Sequence, residues 1–270
     1  IRKGENVMKK HGLRLLLTLC LATAFAVALG AVPAATESPP WYEMETTGDA
    51  YEFPITPEKT PEEWGKLRSL KKKLEVCQVP EEILETMSTE GLIETCLAYP
   101  LFSNMMYQNS LQDGFCQLVD GFNGLRELLS REDGAPLLLQ KYLKLSLDNV
   151  KNVDEFGSIR LIYFEFMLAN PQVISKLSEE EKEALLDRAM KLIALKSQRY
   201  AETFSVTSSA LVASQVLLED TEFAAAIEDN LDWKVFLGDG FGLTPEMLQT
   251  VQQFNEKREA SRNERGTGMF

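Results

Sequence analysis

The stretch that most limits the fold is Phe156–Ala169, FGSIRLIYFEFMLA. Between Ile159 and Ala169 only Arg160 and Glu165 carry charge. A helix that is apolar on most of its faces has to sit inside a protein, because it has no polar side to give to water. Isoleucine, tyrosine and phenylalanine also favour strands. No alternating run elsewhere in the chain offers a partner strand, so the stretch reads as a helix. The expected fold is all-α: a single globular or solenoid-like array of about eight to ten short helices around a central apolar helix at 156–169.

The flanking segments carry helix start and stop signals. Thr60-Pro61-Glu62-Glu63 combines a capping residue, proline at the first helical position and acids in the first turn. Trp64, Leu67, Leu70 and Leu74 follow at helical spacing. Val79-Pro80 divides this element from Glu81–Met87, and Ser88-Thr89-Glu90 opens Leu92–Tyr99. Over Ser110–Ser130, Leu111, Phe115, Leu118, Phe122, Leu125 and Leu129 form one buried stripe. Gly114, Gly121 and Gly124 in that stripe predict either close helix contact or a break near Asn123. Ala135–Leu147 is a further helix. Ser178-Glu179-Glu180-Glu181 is a capping box that starts a helix to about Glu202. Ser205–Leu218 is rich in small residues, and Thr221–Leu231 is another short helix. Leu237–Leu243 (LGDGFGL) reads as a glycine loop, and Thr244-Pro245-Glu246 starts a last helix to about Arg258. The helical domain therefore spans 61–258. A polar, proline-bearing linker or extended arm (35–60) precedes it and a frayed tail (259–270) follows. Two aromatic spots in the arm, Trp41-Tyr42 and Tyr51-x-Phe53, are expected to dock onto the domain.

The N-terminal part belongs to targeting rather than to the fold. Met8-Lys-Lys-His-Gly-Leu-Arg14 is a positively charged n-region and Leu15–Leu29 an apolar h-region. Val32-Pro33-Ala34-Ala35 offers small residues for cleavage. These are the three parts of a secretory signal peptide at 8–34. The competing reading is an uncleaved anchor, because Leu15–Val32 holds 18 residues without a charge, at the lower edge of a spanning length. Cys20 follows Leu19 rather than a small residue, which argues against a lipoprotein. Residues 1–7 read as translated leader: Lys3-Gly4-Glu5 can be encoded by a purine-rich ribosome-binding sequence just before Met8. Export from a bacterium is the expectation, with no membrane contact after cleavage.

Charge and histidine content remove whole classes of function. The chain has 28 basic and 41 acidic residues. Residues 1–34 hold five of the basic residues and one of the acidic, so the mature chain would carry 23 and 40, a net of −17. Such a surface repels phosphate backbones and anionic lipid, so nucleic acid is not an expected partner. The single histidine, His11, lies in the signal. Without another, Ser-His-Asp and Cys-His nucleophile systems and imidazole zinc sites are excluded. Cys77, Cys96 and Cys116 have spacings of 19 and 20, which match no metal pattern. Two of them could pair in an oxidising compartment, or all three could be reduced core residues.

Four stretches resemble a group of uncharacterised exported all-helical bacterial proteins. They are Cys77-Gln-Val-Pro-Glu-Glu-Ile-Leu84, Met87-Ser-Thr-Glu-x-Leu-Ile-Glu94, Leu97-x-Tyr-Pro-Leu101 and Phe122-Asn-Gly-Leu-x-Glu-Leu-Leu129. Leu168–Leu177 followed by SEEEK continues the likeness, which covers roughly residues 54–200. The resemblance implies export and a helical fold. It supplies no activity, cofactor or catalytic residue.

Three catalytic designs survive the loss of histidine. Ser69-Leu-Lys-Lys72 fits the S-x-x-K of a Ser–Lys dyad, but the companion motifs SDN and KTG are absent. A carboxylate pair, as in glycoside hydrolysis, has Glu165 as its candidate, because a carboxyl on a buried helix has its pKa raised. On a helical wheel Asp154, Ser158, Glu165 and Ala169 fall within roughly 60° of one another. This weakly polar stripe predicts that Glu165 faces water or bonds across to a neighbouring helix. Arg160 lies about 140° away, so the two do not pair within the helix. Gly238-Asp-Gly-Phe-Gly242 lacks the Lys-Ser/Thr of a phosphate cradle, and a calcium loop is missing too, so it reads as a turn. No cofactor or metal motif is present. The expected function is that of an exported, non-catalytic binding or scaffold module for an extracellular protein or glycan. The alternative is a carboxylate-dependent hydrolase acting on glycans or cell wall.

Overall fold

A computed structural model describes residues 48–145, 155–199 and 205–267. The expected leader, signal and Trp41-Tyr42 lie outside these residues, as do Asp154 and Tyr200. Among the described residues there are fourteen α-helices and one 3-10 helix, and no strand. The all-α expectation holds. The helix number exceeds the expected eight to ten because the stretches 61–76 and 110–130 each divide in two, and because the 3-10 turn and the helices Pro171–Ile174 and Leu231–Asp239 were not expected.

The chain enters through residues 48–60, which have no regular structure yet belong to the fold. The Asp49 carboxylate accepts hydrogen bonds from the Ser88 N–H (2.7 Å) and hydroxyl (3.0 Å). The Tyr51 N–H donates to Thr95 Oγ1 at 2.8 Å. Phe53 is buried against Tyr99 and Phe122, which stack with ring centroids 4.0 Å apart. Burying a phenylalanine contributes about 2 kcal/mol, so these three anchors turn half of the expected linker into wall.

Helices α1 (Pro61–Lys66), α2 (Leu70–Val76), α3 (Glu81–Leu84) and α4 (Thr89–Leu97) follow. Ser69 and Ser88 cap α2 and α4 by accepting from the backbone N–H of Lys72 and Gly91. Thr60 does not cap α1. Its hydroxyl is taken by a loop of its own, accepting from the Thr56 N–H and donating to the Thr56 carbonyl. A 3-10 turn at Phe102–Tyr107 was not expected.

The Ser110–Ser130 stretch is two helices, α5 (Leu111–Gly121) and α6 (Asn123–Ser130), broken at extended Phe122. Both expected roles of its glycines occur. A Cβ on Gly114 would lie 2.1 Å from the Met105 carbonyl oxygen, so only glycine lets α5 touch the 3-10 turn. The break is held by a reciprocal amide clamp. Gln78 Nε2 donates to the Leu74 and Gly121 carbonyls, and Gln78 Oε1 accepts from the Asn123 N–H. Asn123 in turn bonds both backbone groups of Val79. Two stretches more than forty residues apart, around Gln78 and around Asn123, are thus stitched to each other.

Next come α7 (Gly134–Lys144), the central α8 (Glu155–Leu168), α9 (Pro171–Ile174) and α10 (Glu179–Arg199). The capping box forms: the Ser178 N–H donates to Glu181 Oε2 and the Glu181 N–H to Ser178 Oγ. Lys176 donates to the carbonyls of Leu129, Ser130 and Arg131, closing the C-terminal end of α6 with a cation. Helices α11 (Thr207–Leu217), α12 (Thr221–Ile227), α13 (Leu231–Asp239) and α14 (Pro245–Thr267) complete the chain.

Two sequence expectations change at this end. Residues 231–239 are helical, so the glycine loop shrinks to the turn after Asp239, with Gly240 and Gly242 at φ 74 and 81. The last helix continues to Thr267 through the segment expected to fray. Arg262 in that segment bonds Asp187 of α10 at 3.3 Å and Glu183 at 3.5 Å, a tertiary tie that composition does not reveal. The described residues share one core, with α8 packed between α11 on one side and the 3-10 turn on the other.

Candidate functional site

Glu165 does not face water. It is fully buried, and side chains from three other helices converge on its carboxylate. From α10, Lys196 donates to Oε1 at 3.1 Å and Oε2 at 2.8 Å. From α7, the Tyr142 hydroxyl donates to Oε1 at 2.9 Å. From α11, Ser209 Oγ donates to Oε1 at 2.5 Å and Ser208 Oγ donates to Oε2. The third proton of the Lys196 ammonium goes to Ser209 Oγ at 2.8 Å. The expected polar seam is therefore sealed at Glu165 and Ala169, while Ser158 stays half-buried beside Ile159 and Ile162. The wheel places Glu165 correctly but cannot say which face of a central helix the neighbours cover. Its second option, a bond across to a neighbouring helix, is the one realised.

The electrostatics follow from burial. Burial pushes the Lys196 ammonium below its ordinary value, and the Glu165 charge offsets part of that. Burial, and then the Glu165 charge, hold the Tyr142 phenol well above its ordinary range. Every lone pair of the carboxylate that a donor can reach is taken, so this is a satisfied polar knot. Lys196 and Ser209 stand at the separation of a Ser–Lys dyad. Ser209 is fully buried, however, and spends its hydrogen on Glu165. Among the described residues no second carboxylate takes part in the knot, so the pair that carboxylate hydrolysis needs is not assembled within it.

Other sequence candidates also serve the fold. Ser69 caps its helix through the Lys72 backbone N–H, and this explains the S-x-x-K match. Arg160 is buried, donates to the Leu97 carbonyl and lies with its guanidinium 4.2 Å from the Phe102 ring centroid. Gly240 ends α13 in the left-handed conformation, and a Cβ there would meet the Phe166 ring at 2.5 Å. Cys77, Cys96 and Cys116, the cysteines among the described residues, are free thiols. Burial raises the Cys77 thiol to about 12 and moves Cys96 in the same direction. Among the described residues, no three histidine, cysteine or acidic side chains stand close enough to hold a metal ion.

The open surface lies elsewhere. A groove of about 1200 Å³ runs between residues 48–73 and the end of α4 with the 3-10 turn. Trp64, Leu70, Leu101, Phe102 and Tyr107 supply its apolar wall. Leu70 and Tyr107 are 52% and 79% exposed, unusual for large apolar side chains on one feature. Five cations and three carboxylates also line it. Glu52 pairs with Lys59 at 3.5 Å and Glu94 with Lys141 at 3.3 Å. Arg68 has no ion-pair partner among the described residues, and Lys73 lies 4.7 Å from the Trp64 ring centroid. A second groove of about 980 Å³, along α10 and α14, is lined by seven carboxylates and three cations. Within it Arg262 pairs with Glu183 and Asp187, and Lys257 with Glu222.

Sequence reasoning found Glu165 but missed Lys196 and the groove. Lys196 continues the apolar stripe of Leu185, Ala189, Leu192 and Ile193, and a lysine in such a stripe is a signal for a buried partner. The groove has no comparable signal, because the arm and the 3-10 turn that wall it have no period. No known protein family, curated protein or solved structure matches the chain. Nor, among the described residues, is any helix long and apolar enough to cross a membrane.

Proposed function

We propose that this chain is an exported, non-catalytic binding protein, a member of the helical exported group it resembles, and that it holds its ligand in the groove beside Trp64. The observation that carries the reading is the groove itself. Folding hides most of the large apolar side chains, and of those it leaves exposed Leu70 and Tyr107 lie together on one concave surface. A pocket lined by aromatic and aliphatic groups with a few charges is the usual form of a binding site. Export follows from the charged, apolar and small-residue regions of 8–34.

The hydrolase alternative gains no support from Glu165, whose carboxylate is enclosed and satisfied. The reading is tested by offering the purified protein to cell-wall fractions, glycans and extracellular proteins, and scoring both retention and cleavage. Retention without cleavage is expected, lost in Trp64→Ala and Tyr107→Ala. Cleavage that stops in Glu165→Gln while the variant stays folded would make the protein a hydrolase. Retention indifferent to both groove substitutions would move the site elsewhere.

A further inference from the structure

We infer that the groove beside Trp64 takes an extended peptide segment bearing acidic and apolar side chains. This rests on the binding reading above and names its ligand class.

The charge of the groove differs from that of the chain. The whole sequence is at −13. In the groove two of the three carboxylates are already paired to lysines, at 3.5 Å and 3.3 Å. Setting those pairs and the buried Arg160 aside leaves Arg68 and Lys73 against Glu58. Arg68 is exposed and has no carboxylate partner among the described residues, and Lys73 has only the face of Trp64. A local excess of positive charge in an acidic protein selects an anionic partner by complementarity.

The neutral lining decides between kinds of anion. A glycan needs many hydroxyl and amide groups to meet its hydroxyls. Here the Thr56 and Ser69 hydroxyls each already accept a backbone N–H, and a neutral glycan offers no charge for Arg68 and Lys73 to meet. An acyl carboxylate needs a closed tunnel for its chain, whereas Tyr107 and Leu70 lie open. Apolar side chains that alternate with carboxylates match this surface in both respects. The volume, about 1200 Å³, exceeds the roughly 300–1,000 Å³ of a small-molecule pocket and suits several residues of peptide.

The test is selection of a random twelve-residue peptide library on the purified protein, followed by titration of the selected peptides. Enriched sequences are expected to combine Asp or Glu with Leu, Phe or Trp. Replacing their acids by amides should weaken binding about tenfold or more, and so should Arg68→Glu with Lys73→Glu in the protein. Raised salt should weaken binding further. Neutral or basic peptides that bind as well as acidic ones would overturn the ligand class. So would an empty selection beside a glycan or fatty acid whose binding is lost in Trp64→Ala, although the groove itself would then stand as the site. Peptides that bind equally well to Trp64→Ala and Tyr107→Ala would instead remove the groove.

Discussion

Lys196 and Lys73 both lie against apolar surface, and their surroundings differ in one respect. Lys196 is 1% exposed, and its three protons have three acceptors, two on Glu165 and one on Ser209. Lys73 rests over Trp64 at the wall of an open groove, with no carboxylate in reach among the described residues. Removing an ammonium from water costs several kcal/mol, so a buried cation persists only with full compensation. At a groove wall, water supplies the compensation and a ligand can replace it. The closed site holds its partners permanently, and the open one is free to exchange them.

The largest effect expected from this contrast is at Lys196. Lys196→Met leaves the Glu165 charge buried without its counter-ion and should cost about 3–5 kcal/mol. Adding Glu165→Met to it removes the stranded charge and should restore more than half of the loss. Orphaned Tyr142 and serine hydroxyls keep the recovery incomplete. Urea unfolding of the two single variants and the double variant measures this, and a double variant weaker than Lys196→Met would break the account of the knot.

The second effect is alkaline. The Tyr99, Tyr142 and Tyr163 phenols and the Cys77 and Cys96 thiols are raised by burial above ordinary values of 10.0 and 9.0. In the unfolded chain these groups lose their protons first. Stability is therefore retained below pH 9 and falls as pH rises through 9 and 10, by about 1.4 kcal/mol per unit for each group that ionises only on unfolding. Tyr142→Phe should make the fall above pH 10 shallower. A profile that stays level from pH 9 to 11 would contradict the sealed interior.

The smallest effect belongs to the open groove. Leu70→Ser and Tyr107→Ser remove side chains that are already largely in water, and should change stability by less than about 0.5 kcal/mol. A loss above 2 kcal/mol in either, read from thermal unfolding, would show that the groove wall is part of the core and not a free surface.

Much of the fold was legible because it depends on local rules. The apolar run at 156–169, the capping box at Ser178 and the break near Asn123 each follow from neighbours in sequence. The helix at 231–239 escaped because Gly238 and Gly240 mark a turn but do not say on which side of Gly238 it begins. The continuation to Thr267 escaped because it depends on a partner, Asp187, far away in the chain. The site was less legible still. Glu165 was visible as the odd charge on an apolar helix, but its meaning rests on Lys196, Tyr142, Ser208 and Ser209, which come from three other helices.

The sequence by itself determined that the protein is helical, that one helix lies at its centre, and that histidine chemistry is absent outside 8–34. These follow from residue identity and spacing, and need no knowledge of what packs on what. Tertiary structure alone decided which face of that central helix is dry. A helical wheel ranks faces by polarity, but exposure depends on where α7, α10 and α11 come to rest. The same packing left Trp64, Leu70 and Tyr107 around an open groove, because residues 48–60 and the 3-10 turn meet there without filling the space between them.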